Sequence, residues 1–267
     1  MRLNKIFTSI LVGSTLAAAP MAYSADAPVP PMNPQQQKQV EQVVRSYLVK
    51  NPQVIVDSLQ TLQQQQMDQA QKTIQKTQAS APNFASDLFH QATDPVEGNA
   101  NGTVTVVDFF DYQCPHCTHM TPVLEALIKS NPNLRVVFKE FPIRGPLSEF
   151  ASKAALAAKN QGKYLDLHKA IMKLAIDQKL SENAIVAAAQ SLGLDVNKLK
   201  ADMKTDAIGQ VIKNNYKLAQ SLQLMGTPAF FVAKSTVING AKPTEIVFIP
   251  GQVDQPQLKA TIDKVNQ

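Results

Sequence analysis

The run TVTVVDFFDYQCPHCTHMTPVLEALIKSNPNLRVVFKEF, residues 103–141, limits what this chain can fold into more than any other segment. Thr103 to Phe110 is dense in β-branched and aromatic residues, as a buried strand requires. After a short loop, His116, Met120, Val123, Leu124, Leu127 and Ile128 recur at helical spacing. Pro122 sits inside that helix and predicts a kink. Leu134 to Phe141 reads as a second strand. Strand, helix and strand in that order form a βαβ unit with a parallel pair. From about Leu147 to Leu224 the pattern is helical, with Ser181 as an N-cap and Gly193 as a stop. The sheet resumes at Pro228 to Ala233 and Glu245 to Gly251, and a helix from Gln255 to Val265 closes the chain. The fold class is α/β, with a helical insertion at about 147–224.

The segments before this domain differ in composition. Residues 1–24 open with Arg2 and Lys5, run apolar from Ile6 to Ala19, and end in Ala22-Tyr23-Ser24 before Ala25. That pattern predicts a signal peptide and an exported, periplasmic protein. The apolar run is too short for a comfortable membrane span. A Pro-rich lead-in covers Ala25 to Pro34, and Gln35 to about Ser80 lacks glycine and reads as helix. One apolar stripe holds Val40, Val43, Val44, Tyr47 and Leu48; Asn51-Pro52 interrupts it. A second stripe holds Val54, Ile55, Leu59 and Leu62, then decays into glutamines. A helix with such a stripe cannot bury itself alone. Residues 25–80 are therefore expected to be an oligomerisation arm and linker, with Val43, Tyr47, Ile55, Leu59 and Leu62 joining protomers. The other reading is a helix packed on its own domain, followed by a disordered Gln-rich linker. Residues 81–267 are the globular domain.

The chain holds two cysteines, Cys114 and Cys117. A disulfide between residues three apart closes a tiny loop and adds little stability, since the gain grows with loop length. The pair therefore points to chemistry. In C-x-x-C at a helix start, the first sulfur is exposed to a partner, and unpaired N–H groups stabilise its thiolate. The second lies one turn in and resolves the mixed disulfide. Pro115 fits the first helical turn, where a missing N–H costs nothing. His116 is expected to place a positive or donating ring beside Cys114, lowering its pKa and favouring the dithiol form. No cofactor is expected beyond the Cys114–Cys117 redox pair. Haem attachment needs C-x-x-C-H, and Thr118 follows Cys117. Too few ligands lie near the pair for zinc, and no metal site is expected. The formal charge of +5 is spread without a basic run, which speaks against nucleic acid.

The pieces VVDFFDYQCPHC, KEFPI, the helical insertion and MGTPAFFV fall in the order of a thioredoxin-like domain, and Thr103 to Asn266 resembles the DsbA family. The arm resembles the N-terminal oligomerisation regions of the longer ScsC-like and Com-like relatives. The resemblance implies that Asp108 is a buried acid behind Cys117, shuttling its proton; the alternative is a strand-end carboxylate facing solvent. It also implies that Thr227-Pro228 is a cis-proline loop that holds an extended client, where the residues alone read as a plain turn. Thr before the proline resembles the isomerases DsbC and DsbG, whereas Cys-Pro-His-Cys matches the oxidase. The implied function is a protein disulfide oxidoreductase or isomerase acting on exported clients with thiols or disulfides. Its expected partners are a membrane redox protein and a second copy, as a homodimer in preference to a trimer. Copper handling or chaperone activity of the ScsC type is the alternative.

Overall fold

The computed structural model describes residues 32–267. The expected signal peptide and most of the Pro-rich lead-in lie outside the described residues. The remainder forms two compact units, one running to Thr61 and the other from Leu62 to Gln267.

In the second unit a five-stranded mixed sheet has the order β1-β3-β2-β4-β5. Its strands are β1 (Val96–Gly98), β2 (Val104–Phe110), β3 (Leu134–Glu140), β4 (Ala229–Lys234) and β5 (Ile246–Pro250). The parallel β2–β3 pair is joined through α4 (Pro115–Ser130), the βαβ unit implied by the sequence. Strands β4 and β1 add antiparallel to β2 and β3 respectively, and β5 pairs antiparallel with β4. Every residue of β2 is buried, because both faces of the central strand are covered. Side chains alternate between faces. Val104, Val106 and Phe110 join Leu124 and Leu127 of α4, while Val107 and Phe109 join Phe89, Leu222 and Phe231 on the other side. Helix α4 runs unbroken through Pro122.

Strand β1 was not anticipated: three residues carry no periodic signal. Its Gly98 has φ +81°, and a Cβ there would sit 2.5 Å from the Leu134 carbonyl oxygen. The insertion comprises α5 (Pro146–Lys159), α6 (Tyr164–Ile176), α7 (Glu182–Ser191), α8 (Val196–Asp202) and α9 (Asp206–Ser221). Buried Ala151, Ala154, Ala155, Ala157 and Ala158 let α5 pack closely among its neighbours. Ser181 caps α7 by accepting from the Ala184 N–H at 3.2 Å, and Gly193 follows that helix at φ +77°. The closing helix is α10 (Gln255–Asn266), and a short α3 (Ala85–Phe89) covers the sheet face opposite α4.

Helix α1 (Pro34–Lys50) begins with a capping box between Asn33 and Gln36 and buries none of its residues. Asn51, before Pro52, leaves the helical region, and α2 (Gln53–Ser80) follows. Val43, Tyr47, Ile55, Leu59 and Leu62 are all exposed. The Gln-rich half of α2 continues as helix to Ser80. Gln64 donates to Asp68 at 2.8 Å along the helix. Near its end the Thr77 hydroxyl donates to the Leu222 carbonyl oxygen at 2.7 Å. The Gln78 side chain donates to the Ile246 carbonyl oxygen and accepts from the Phe248 N–H at 2.8 Å, covering the free edge of β5. These polar anchors make the last turns of α2 part of the globular unit, a link no apolar period reveals. Among the described residues no helix is long and apolar enough to cross a membrane.

Candidate functional site

Strand β2 ends at Phe110, and the loop Asp111–Gln113 delivers Cys114 as the N-cap of α4 with Pro115 in the first turn. Buried Asp111 fixes that loop. Its carboxylate accepts from the Gln113 N–H at 2.6 Å, the Ser148 hydroxyl at 2.7 Å and the Arg144 N–H at 2.9 Å. One side chain thus ties the approach to α4 to the start of α5. The only sequence signal for it is an Asx turn in Asp-Tyr-Gln, which by itself is common.

Both cysteines are free thiols in this structure. Cys114 Sγ donates to the Thr227 carbonyl oxygen at 3.2 Å. Its pKa is lowered to about 5, first by the hydrogen bond from the Cys117 thiol, against the cost of burial, and then by the backbone N–H groups of Cys117 and His116. Cys117 moves the other way: burial, the bond it gives Cys114 and the charge of Asp108 push it far up. Two chemically identical side chains thus become one thiolate and one thiol.

Two placements, those of Cys114 and His116, differ from the sequence expectations. Cys114 borders a cleft of about 440 Å³ but has no accessible surface of its own, whereas an exposed sulfur was expected. The Thr227 carbonyl lies against it, so a protein thiol reaches it only after local opening. The His116 ring pairs with Gln252 at 2.9 Å on the surface, so the amide of His116, and not its imidazole, acts on the sulfur. Gln252 carried no sequence signal. Asp108 is buried rather than facing solvent, on the β2 face that packs against α4. Burial raises its pKa well above the usual carboxylate range, and the charges of Cys114 and Glu140 add to this. Its Oδ1 and the Thr227 Oγ1 are buried without a hydrogen-bond partner among the described residues.

The Thr227–Pro228 bond is cis, at the start of β4 and beside Cys114. The plain-turn reading does not describe it. Met225 and Gly226 lead into this bend, leaving the Thr227 backbone at the site. The candidate oligomerisation residues lie on α1 and α2. Among the described residues no group of three or more His, Cys, Asp or Glu is arranged to hold a metal ion.

A second buried cluster lies behind the site. Glu140, at the end of β3, accepts from Tyr112 at 3.0 Å, Tyr164 at 2.8 Å and Ser152 at 2.7 Å. Burial raises its pKa to about 8, against the lowering effect of these donors. Tyr112 also meets His168 Nδ1 at 2.9 Å. Burial lowers the His168 pKa to about 3, so its imidazole is neutral.

A sheet of this topology with two cysteines of opposed acidity at the start of its crossover helix, facing a cis-proline, defines a thioredoxin-like thiol–disulfide site. The chain belongs to the DSBA-like thioredoxin domain family, which matches residues 105–263. The copper resistance protein ScsC N-terminal domain matches residues 36–69. The chain is 28% identical over 182 residues to the thiol:disulfide interchange protein DsbA of Bordetella pertussis, covering 60% of this chain and 83% of that protein. Salmonella enterica Typhimurium BcfH is 32% identical with a TM-score of 0.63, over 87% of this chain and 97% of that one. Proteus mirabilis ScsC in a transitional conformation is 28% identical with a TM-score of 0.57, over 88% and 99%. The sodium/proton antiporter NhaA 1 of Salinispora arenicola is 31% identical over 52% of this chain, which spans only 21% of that protein's length.

Proposed function

We propose that this chain is a periplasmic thiol–disulfide exchange enzyme that introduces and rearranges disulfides in exported proteins. The observation that carries the reading is the opposed acidity of the two sulfurs, Cys114 at about 5 and Cys117 far above the usual thiol range. A low-pKa Cys114 is both a good attacking thiolate and a good leaving group. In oxidation, a client thiolate attacks Cys114 of the Cys114–Cys117 disulfide, and Cys117 leaves with the electron pair and takes a proton, which Asp108 can supply. A second client thiolate then attacks the client sulfur of the mixed disulfide. The client disulfide forms and Cys114 departs as thiolate, leaving the enzyme reduced by two electrons. In isomerisation, reduced Cys114 attacks a wrong client disulfide and is expelled when a client thiol re-forms a bond, with no net redox change. Thr227 and Pro228 present backbone to an extended client. A membrane redox partner resets the pair, and Val43, Tyr47, Ile55, Leu59 and Leu62 join two copies.

The test compares the chain with Cys114→Ser in oxidising a reduced dithiol peptide and in reactivating scrambled ribonuclease. Both activities should be present in the wild type and lost in the variant. Retention of either by Cys114→Ser sinks the reading.

A copper-linked role is the second reading, favoured by the family name attached to residues 36–69 and by the softness of a thiolate pair for copper(I). Titration with copper(I) against a chelator of known affinity separates them: tight binding lost in Cys114→Ser supports it, and weak binding unaffected by the change removes it.

A further inference from the structure

We propose that the last turns of α2 form one wall of the client-binding groove, so that this helix selects clients with an apolar side chain next to the reacting cysteine. The inference rests on the exchange reading above. A groove of about 270 Å³ lies on the side of the cis-proline loop that faces α2. Thr227 and Pro228 line it together with Ile74 and Thr77 of α2, Met225 before the loop, and Phe248 on β5. Most of these walls are apolar, and Met225 is 62% exposed, a flexible side chain suited to varied partners.

Two observations say what the groove holds. First, it adjoins the exchange site: Thr227 lines it, and the same residue's carbonyl oxygen lies 3.2 Å from Cys114 Sγ. A client bonded to Cys114 and running extended past Thr227 advances roughly 3.3 Å per residue, so its first neighbours reach this groove. Second, its far wall is built in. Thr77 is tied to Leu222, and Gln78 bridges the β5 edge at Ile246 and Phe248, so the helix is held beside the loop by side-chain anchors. Those anchors also occupy the β5 edge, which leaves the Thr227 backbone for the client. The occupant is an extended client segment bearing Leu, Met or Phe one or two residues from its cysteine.

The experiment uses the full-length chain and two cysteine peptides identical except for Leu or Ser flanking the cysteine, each supplied as a mixed disulfide with a chromogenic thiol. The wild type should favour the Leu peptide by about tenfold in kcat/KM, mainly through KM, as expected for burying an apolar side chain. Ile74→Gln and, separately, Met225→Ser should bring that ratio to within about twofold of 1. Solution mass and the circular dichroism spectrum are recorded for each, and two variants on opposite walls guard against one failing to fold. A wild-type ratio near 1, or a ratio unchanged in both folded variants, overturns the inference while exchange itself stands. A ratio that falls only together with a change in mass also overturns it, because the helix then acts through assembly. If the wild type exchanges with neither peptide nor dithiothreitol, the exchange reading fails and takes this inference with it.

Discussion

Around the Cys114 sulfur, the groups that matter are backbone N–H groups and the neighbouring thiol. The reduced chain should therefore show a thiolate absorbance at 240 nm rising with a midpoint near pH 5, abolished in Cys114→Ser. Because the folded pKa lies below the ordinary thiol value, the reduced form gains stability as pH rises from about 5 to about 9, and loses it as pH falls through 5. His116→Ala should move the midpoint by less than about one unit, since its amide remains and its ring faces Gln252. A larger shift would show that the ring acts on the sulfur after all. Asp108→Asn should slow formation of the mixed disulfide by about tenfold or more, by removing the proton donor to the departing Cys117. The same change should raise stability at neutral pH: a carboxyl with a raised folded pKa costs stability as pH climbs above its unfolded value. Stopped-flow formation of the mixed disulfide and urea melts at pH 4 and pH 7 check the two halves. The dithiol, Asp108 and Thr227-Pro228 were legible because each belongs to a local motif. Asp111 and Gln252 were not, because their roles depend on residues 33 and 136 positions away.

Elements are joined to the sheet by buried polar groups whose burial the sequence does not announce. Lys139 and Glu140 are adjacent on β3, so strand alternation sends them to opposite faces. Lys139 pairs with buried Asp94 and donates to the Asp87 carbonyl oxygen at 2.6 Å, anchoring the segment between α3 and β1. Glu140 gathers Tyr112 from the Cys114 loop, Ser152 from α5 and Tyr164 from α6, and its carbonyl accepts from Asn215 of α9 at 3.1 Å. Alternation was readable; that the insertion helices would close over Glu140 was not, since it depends on their packing. With a folded pKa of about 8, Glu140 binds a proton that the unfolded chain has lost above about pH 4.5. Its contribution to stability thus falls by roughly 1.4 kcal/mol per pH unit between those values. Relative to wild type, Glu140→Gln should become more stable as pH rises from 5 to 8, in thermal melts across that range. A difference that does not vary with pH would mean the carboxyl titrates normally. Lys139→Met should cost about 3–5 kcal/mol in denaturant unfolding, because Asp94 is left buried and unpaired.

For the whole molecule, the question is what the arm does for a domain that carries the complete dithiol. Its two stripes are visible in the sequence, and the structure leaves them uncovered: Val43 is 68% exposed and Leu59 57%. A row of apolar side chains along helices that bury almost nothing of their own is unstable in water without a partner. The far end of α2 behaves differently, because Thr77 and Gln78 bind the domain. A cut at residue 80 would therefore damage the groove and the assembly together, and could not assign a cause. Charged substitutions on the stripe keep those anchors. In the full chain, Val43→Asp with Leu59→Asp should reduce the light-scattering mass to that of one chain. Oxidation of a small dithiol, which needs one site, should persist, while reactivation of scrambled ribonuclease should fall several-fold, since repeated exchange gains from sites held at high effective concentration. If the mass of the wild type is already that of a single chain, the stripe does not join copies. If the mass falls but reactivation does not, isomerisation belongs to the single domain, and the Thr227–Pro228 loop with its groove is the place to look for it.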